Sequence, residues 1–204
     1  MKKAIDFYFD FSSPYGYLGS KRIEALASKY ELTINWQPIL LGAVFKVSGQ
    51  APLTTFPLKG EYALMDFERS AREHGTPYKQ PKPFPIAAVA ASRAFYWISE
   101  NPDAAIAAKT ANFVHAVFAA YYVEQHDISK ADVLAAVVNK LGLNSNTLAE
   151  ALGQQAVKDR LKNAVDDAIA RGVFGSPMMY YGDEPFWGND RIEQLERWIE
   201  KDGW

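Results

Sequence analysis

Phe9-Asp10-Phe11-Ser12-Ser13-Pro14-Tyr15-Gly16-Tyr17-Leu18 changes its periodicity partway along. Upstream, Ile5, Phe7, Phe9 and Phe11 alternate with Asp6, Tyr8 and Asp10, the two-residue spacing of a strand. Downstream, Pro14 suits the first turn of a helix, where its missing N–H costs nothing. Ile23, Leu26, Ala27 and Tyr30 then follow at helical spacing. The stretch is therefore a strand-to-helix junction. A helix N-terminus carries unpaired N–H groups and the positive end of the helix dipole, so it favours negative charge.

Working outward, Leu32, Ile34 and Trp36 alternate again and Pro38 ends that run, which predicts β-α-β with parallel strands. Leu41 to about Gly60 reads as loop, with Gly42, Gly49, Pro52 and Pro57, and a short helix is predicted from Glu61 to His74. Pro77, Pro81, Pro83 and Pro85 mark an extended connector. Helices follow from Ile86 to Ser99, then after an Asn101-Pro102 cap with Phe113, Val117, Phe118 and Tyr121 as a core stripe. Another starts at a capping box of Ser129 and Asp132 and ends at Gly142, and a last one in this block runs from Asn146 to Arg171. Val173-Phe174 and Met178 to Tyr181 read as strand, Gly182-Asp183 as a hairpin turn and Phe186-Trp187 as the return. Asp190 with Glu193 reads as a capping pair for a final helix bearing Ile192, Leu195, Trp198 and Ile199.

The order β-α-β, helical block, α-β-β-α makes this an α/β chain with a thioredoxin-like fold split by an all-helical insertion. Residues 1–41 and 153–204 form the discontinuous thioredoxin-like domain and 42–152 the insertion. In such a fold a redox Cys-Pro-x-Cys would place its cysteines at Ser13 and Gly16, yet the chain contains no cysteine. The junction is suited to a thiolate that the protein does not itself carry. A thiol from elsewhere, glutathione, is the expected ligand.

The chain has 204 residues, 49% apolar and 23% charged, with a net charge of −2 and no long basic run. These values suit a globular protein and argue against nucleic acid or an anionic membrane as partner. The absence of cysteine excludes disulfides, thiolate metal sites and self-contained dithiol chemistry. Met1-Lys2-Lys3 could open a leader, but Asp6 and Asp10 interrupt any apolar core of one. No apolar run approaches the ~20 residues that span a bilayer, so a cytoplasmic location is expected. No metal is expected.

Four segments could carry chemistry. Ser13 before Pro14 is a helix cap on one reading and a hydroxyl donor to a bound thiolate on the other. A nucleophilic serine needs a base close by, and His74, His115 and His126 stand in helical or connector segments with no elbow motif. Ser176-Pro177 lies between a helix closed by Gly172 and the hairpin. If its peptide is cis, the Ser176 backbone would offer N–H and C=O to an extended peptide such as glutathione; the alternative is a trans edge-strand proline. Asn189 and Asp190, at the start of the last helix, either cap it or hold the γ-glutamyl end of glutathione, Asp190 facing the amino group. Lys59, near Tyr62, Asp66 and Arg69, either meets a carboxylate or is a solvated surface lysine.

Together, Phe9 to Tyr15, Lys59-Gly60-Glu61-Tyr62, Asp66-Phe67-Glu68-Arg69, Gly172 to Pro177 and Phe186 to Arg191 resemble the 2-hydroxychromene-2-carboxylate isomerases, relatives of kappa-class glutathione transferases in the DsbA-like thioredoxin superfamily. The resemblance covers nearly the whole chain in order. It implies a glutathione-dependent isomerase, homodimeric, acting on small aromatic carboxylates in naphthalene-type catabolism and producing trans-o-hydroxybenzylidenepyruvate. It implies catalysis by Ser13 and cofactor contacts from Ser13, Gln50, Lys59, Ser176, Asn189 and Asp190, with Gln50 standing where relatives often have asparagine. A kappa-type transferase and a non-catalytic thioredoxin-like peptide-binding module are the rival readings.

Overall fold

In the computed structural model, residues 4–204 are described; Met1-Lys2-Lys3, weighed above as a leader start, lie outside them. Strand β1 (Ala4–Phe9) leads into helix α1 (Pro14–Lys29) and strand β2 (Thr33–Pro38), and β1 and β2 pair in parallel with Phe7 opposite Trp36. Strands β3 (Met178–Tyr181) and β4 (Glu184–Trp187) close the sheet in the order β2-β1-β3-β4, with β1–β3 and β3–β4 antiparallel. Between β2 and β3 lie α2 (Leu41–Ser48), α3 (Lys59–Glu73), α4 (Val89–Ser99), α5 (Ala104–Ala107), α6 (Thr110–Tyr122), α7 (Ala131–Lys140), α8 (Ser145–Gly153) and α9 (Gln155–Ala170). The chain ends with α10 (Ile192–Lys201). Among the described residues no helix is long and apolar enough to cross a membrane.

The alternation in β1 explains why the sheet is covered on both faces. Ile5, Phe7 and Phe9 share the main core with Leu18, Ile23, Phe95, Phe118, Met179 and Leu195. Tyr8 points the other way, into a second cluster with Ile39, Val44, Ala168, Val173, Met178 and Tyr180. The main core is largely aromatic: Phe9 meets Trp36 and Phe11 edge-on at 5.9 and 5.1 Å between centroids, a favoured geometry for ring quadrupoles. Phe113, Val117, Phe118 and Tyr121 are all buried, as their spacing in α6 requires.

Several boundaries differ from the sequence reading. The segment after Leu41 is helix, not loop: Asp10 Oδ2 accepts from the Leu41 N–H at 2.7 Å, a cap supplied from across the fold, and Gly49 closes the helix in the left-handed region at φ 70°. The helix expected after Asn101-Pro102 is two, α5 capped by Asp103 and then α6. The long helix from Asn146 is also two, because Gln154 is extended and both ends of the break bury a leucine, Leu148 and Leu161. Val173-Phe174 is not strand. Ser129 does not cap α7; its N–H and hydroxyl both turn back to Asp127 Oδ1. Asp190 does not cap α10, since it lies in a 3-10 turn, Asn189–Arg191, with its carboxylate on Arg191.

Candidate active site

The N-terminus of α1 is built from the loop Asp10–Ser13 and faces the Ser176-Pro177 peptide, which is cis. Ser13 is the N-cap residue: its Oγ accepts from the Gly16 N–H at 3.0 Å and donates to the Ser176 carbonyl at 3.0 Å. Ser176 Oγ in turn accepts from the Asp10 N–H at 3.0 Å. Gly16 is required here, because a Cβ would come within 2.8 Å of Ser176 Oγ and 3.1 Å of Ser13 Cβ. Two donors at this junction carry no partner among the described residues. Pro14 has no N–H, Gly16 is capped by Ser13 Oγ and Tyr17 by the Ser13 carbonyl, so the Tyr15 N–H is left over. The Ser176 N–H makes no hydrogen bond to any described residue either.

Asp10 organises this loop. Its carboxylate is buried and accepts from Ser12 N–H through Oδ1 at 2.7 Å and from Leu41 N–H through Oδ2. Burial pushes its pKa up to about 6 against the two backbone hydrogen bonds, which favour the charged form. The folded state thus holds a proton that an unfolded chain, titrating near 3.8, releases. The contribution of Asp10 to stability is therefore most favourable below about pH 4, falls as pH rises to about 6, and is flat above; its size is about 3 kcal/mol. Asp10→Asn removes this titration. The stability of the wild type relative to Asp10→Asn is expected to decline from pH 4 to pH 6 in denaturant melts, and a pH-independent difference would refute the burial argument.

Around this centre stand the other candidates. Tyr15 donates to Asp66 Oδ2 at 2.6 Å, and Asp66 also pairs with Arg69, which reaches the Tyr62 hydroxyl at 2.9 Å. Burial first, and then Asp66, pushes the Tyr15 phenol well above its ordinary value, so Tyr15 is a neutral donor. Although burial opposes it, the hydrogen bonds from Tyr15 and Arg69 hold Asp66 below the usual carboxylate range. Lys59 opens α3, is exposed, and shares a helix face with Tyr62, Asp66 and Arg69 by its spacing of three, seven and ten residues. Its Nζ lies 5.5 Å from the centre of the Phe56 ring.

The tail segment is tied to the same helix. Arg22 of α1 donates to the Asn189 carbonyl and to its Oδ1 at 2.6 and 2.9 Å, and pairs with Glu193. Asn189 is buried, and its side-chain NH2 has no partner among the described residues. The Gly188 N–H bonds the Pro177 carbonyl at 3.0 Å, which joins the cis-proline to this turn. The charge of Asp190 reaches Tyr15.

Ser13 and Ser176 are thus in direct contact, Asn189 and Asp190 are held beside α1, and Lys59 lies on the α3 face that reaches Tyr15. Gln50 is exposed between α2 and the 3-10 turn Leu53–Thr55, and its side chain makes no hydrogen bond to Ser13 or Ser176 in the unliganded protein. His115, given no role, lies on α6 with Nε2 2.8 Å from Glu24 Oε2. Three contributors were not foreseen. Asp10 and Arg22 act through tertiary contacts, and Tyr15 was quoted only as part of the motif. An acid between Phe9 and Phe11, directly after the strand, was the available signal for Asp10; Arg22 had none.

Comparisons with known proteins bear on the family and the fold. The model of the DSBA-like thioredoxin domain matches residues 4–200. The 2-hydroxychromene-2-carboxylate isomerase of Pseudomonas putida is 34% identical over 194 residues, covering 94% of this chain and 92% of the relative. A solved structure of 2-hydroxychromene-2-carboxylate isomerase superposes with a TM-score of 0.87 at 32% identity, covering 97% of this chain and 95% of that one. The glutathione S-transferase kappa 2 of Caenorhabditis elegans is more distant, 25% identical over 206 residues, covering 95% of this chain and 90% of the relative. The chain belongs to the DSBA-like thioredoxin-domain family and, within it, to the group of 2-hydroxychromene-2-carboxylate isomerases.

Proposed function

We propose that this protein is a glutathione-dependent isomerase that interconverts 2-hydroxychromene-2-carboxylate and trans-o-hydroxybenzylidenepyruvate in the breakdown of naphthalene-type aromatics, as a cytoplasmic homodimer. The observation that carries the reading is a thioredoxin-type helix N-terminus with a buried serine, Ser13, and no cysteine in the whole chain.

The residues present fit glutathione. The unpartnered Ser176 N–H and the Ser176 carbonyl are the two backbone groups that an extended peptide pairs with, as an added strand would. The free NH2 of Asn189 suits the α-carboxylate of the γ-glutamyl end, and the exposed carboxylate of Asp190 suits its amino group. Lys59 and Gln50 are proposed to meet carboxylates of glutathione or substrate, Lys59 as the charged partner. When bound, glutathione supplies a nucleophilic thiol whose reversible addition to a conjugated carbon loosens a carbon–carbon double bond for rotation.

The chain's own part is to favour the ionised sulfur. Ser13 turns its proton from the Ser176 carbonyl toward the sulfur, exchanging a neutral hydrogen bond for a charge-assisted one about twice as strong. That rotation also frees the Ser176 carbonyl for the peptide N–H of the ligand. The unpaired Tyr15 N–H and the dipole of α1 add positive potential at the same point. Asp10, through Ser12 and Leu41, keeps the loop in this geometry.

Thermal melting with reduced glutathione tests the reading. At ~100 times its dissociation constant the ligand adds about 2.7 kcal/mol, a rise of roughly 5–10 °C for a chain of this size. Turnover of chromene carboxylate is expected only when glutathione is present, with the thiol recovered unchanged. Release of a glutathione conjugate would make the protein a kappa-type transferase instead. No melting shift and no turnover would leave the peptide-binding module.

A further inference from the structure

Away from this site, a cleft of about 170 Å³ opens between the start of α2, α4 and α9. Its apolar lining includes Leu40, Leu161 and Val165, the last two buried. Its charged lining is mainly cationic, Arg93, Lys158 and Lys162, with Asp166 as the one acidic group. Lys162 and Asp166 pair with each other one helical turn apart, so Arg93 and Lys158 are left as the excess charge.

Arg93 is the unusual member. It forms no ion pair and no side-chain hydrogen bond with any described residue, and its Nε is fully buried without a partner. A ligand in the cleft reaches the two terminal nitrogens of this guanidinium and not the enclosed Nε, and those nitrogens have no protein partner among the described residues. Arginine is also the side chain whose planar fork matches a carboxylate with two parallel hydrogen bonds. Lys158 is half-buried on the facing helix, without a side-chain partner among the described residues. A ligand that matches both parts of this lining needs an anionic group and an apolar body.

We propose that this cleft is a second binding site, separate from the Ser13 centre, for a small carboxylate with an apolar ring body. The carboxylate pairs with Arg93 and Lys158, and the ring lies on Leu40, Leu161 and Val165. A volume of about 170 Å³ has room for a small ring system of one or two fused rings.

The probe is 1-naphthoate, followed by amide chemical shifts in the full-length protein. Saturable shifts are expected in α4 and α9 and at Leu40. Arg93→Met keeps the volume and removes the charge, and is expected to weaken this binding at least tenfold while leaving glutathione-dependent turnover unchanged. Lys158→Met, at a partly solvent-facing position, provides a second variant and is expected to weaken it severalfold. The neutral analogue 1-naphthalenemethanol is expected not to saturate the cleft. The proposal is overturned by an absence of shifts in α4 and α9 at millimolar naphthoate, by binding indifferent to both substitutions, or by inorganic phosphate binding as tightly as naphthoate.

Discussion

Ser13→Ala is expected to lower turnover by about 10²–10³-fold while the protein remains folded and still binds glutathione. The magnitude is that of removing one preorganised donor from a developing or resident negative charge in a site shielded from water. Two local costs accompany it. The Gly16 N–H loses its cap, and the Ser176 carbonyl loses its donor, so stability should fall by about 1 kcal/mol, the usual cost of an N-cap serine. The glutathione melting shift should persist, because Ser176, Asn189 and Asp190 contact other parts of the ligand on this reading. Ser176→Ala separates the two roles. It removes only the acceptor for the Asp10 N–H and leaves the Ser176 backbone in place, so it should reduce stability more than turnover. Full activity in Ser13→Ala, measured on chromene carboxylate at saturating glutathione, would remove Ser13 from the chemistry and leave it a helix cap.

Phe118→Ala is expected to produce the largest loss of stability, about 3–5 kcal/mol. The ring is fully buried and its centroid lies 5.6 Å from that of Phe9, 5.2 Å from Phe11 and 5.6 Å from Tyr17. Those three residues belong to β1, the active-site loop and α1, whereas Phe118 belongs to α6, deep in the helical block. One side chain therefore carries much of the packing between the two parts of the chain. Because domains of this kind are stable by only about 5–15 kcal/mol, the melting temperature should fall by roughly 10 °C or more. The helical block and the sheet should still unfold together, since they share one aromatic core. Coincident transitions by far-ultraviolet circular dichroism and tryptophan fluorescence would show this. Two separated transitions, or a loss under about 1 kcal/mol, would mean that α6 is a detachable layer.

Much of this architecture is legible in local sequence, for a physical reason. The alternation Ile5-Phe7-Phe9-Phe11, the proline at the first turn of α1 and the turn at Gly182-Asp183 each reflect a constraint between near neighbours, and such constraints leave a period or a residue type behind. The helix breaks were less legible. Gln154 separates α8 from α9 because Leu148 and Leu161 must both reach the core, and that requirement comes from the packing partners. The helix α2 was hidden for a similar reason. Its N-cap residue is Leu40, which has nothing to cap with, and the missing acceptor arrives from Asp10, thirty-one residues away in sequence.

The site divides in the same way. By itself the sequence determined that a helix N-terminus stands where a redox thiol would, that Ser13 occupies it, and that no thiol of the chain can act there. These follow from periodicity, from one proline and from a residue count. Only the tertiary structure decided that Ser13 donates its proton to the Ser176 carbonyl, and that Arg22 takes the oxygen of Asn189 and leaves its NH2 free. It also decided that the carboxylate of Asp10 is buried and clamps the loop. Hydrogen-bond partners and burial are properties of pairs of segments brought together across 30 to 170 residues, and no local pattern of residue types encodes which pair will meet.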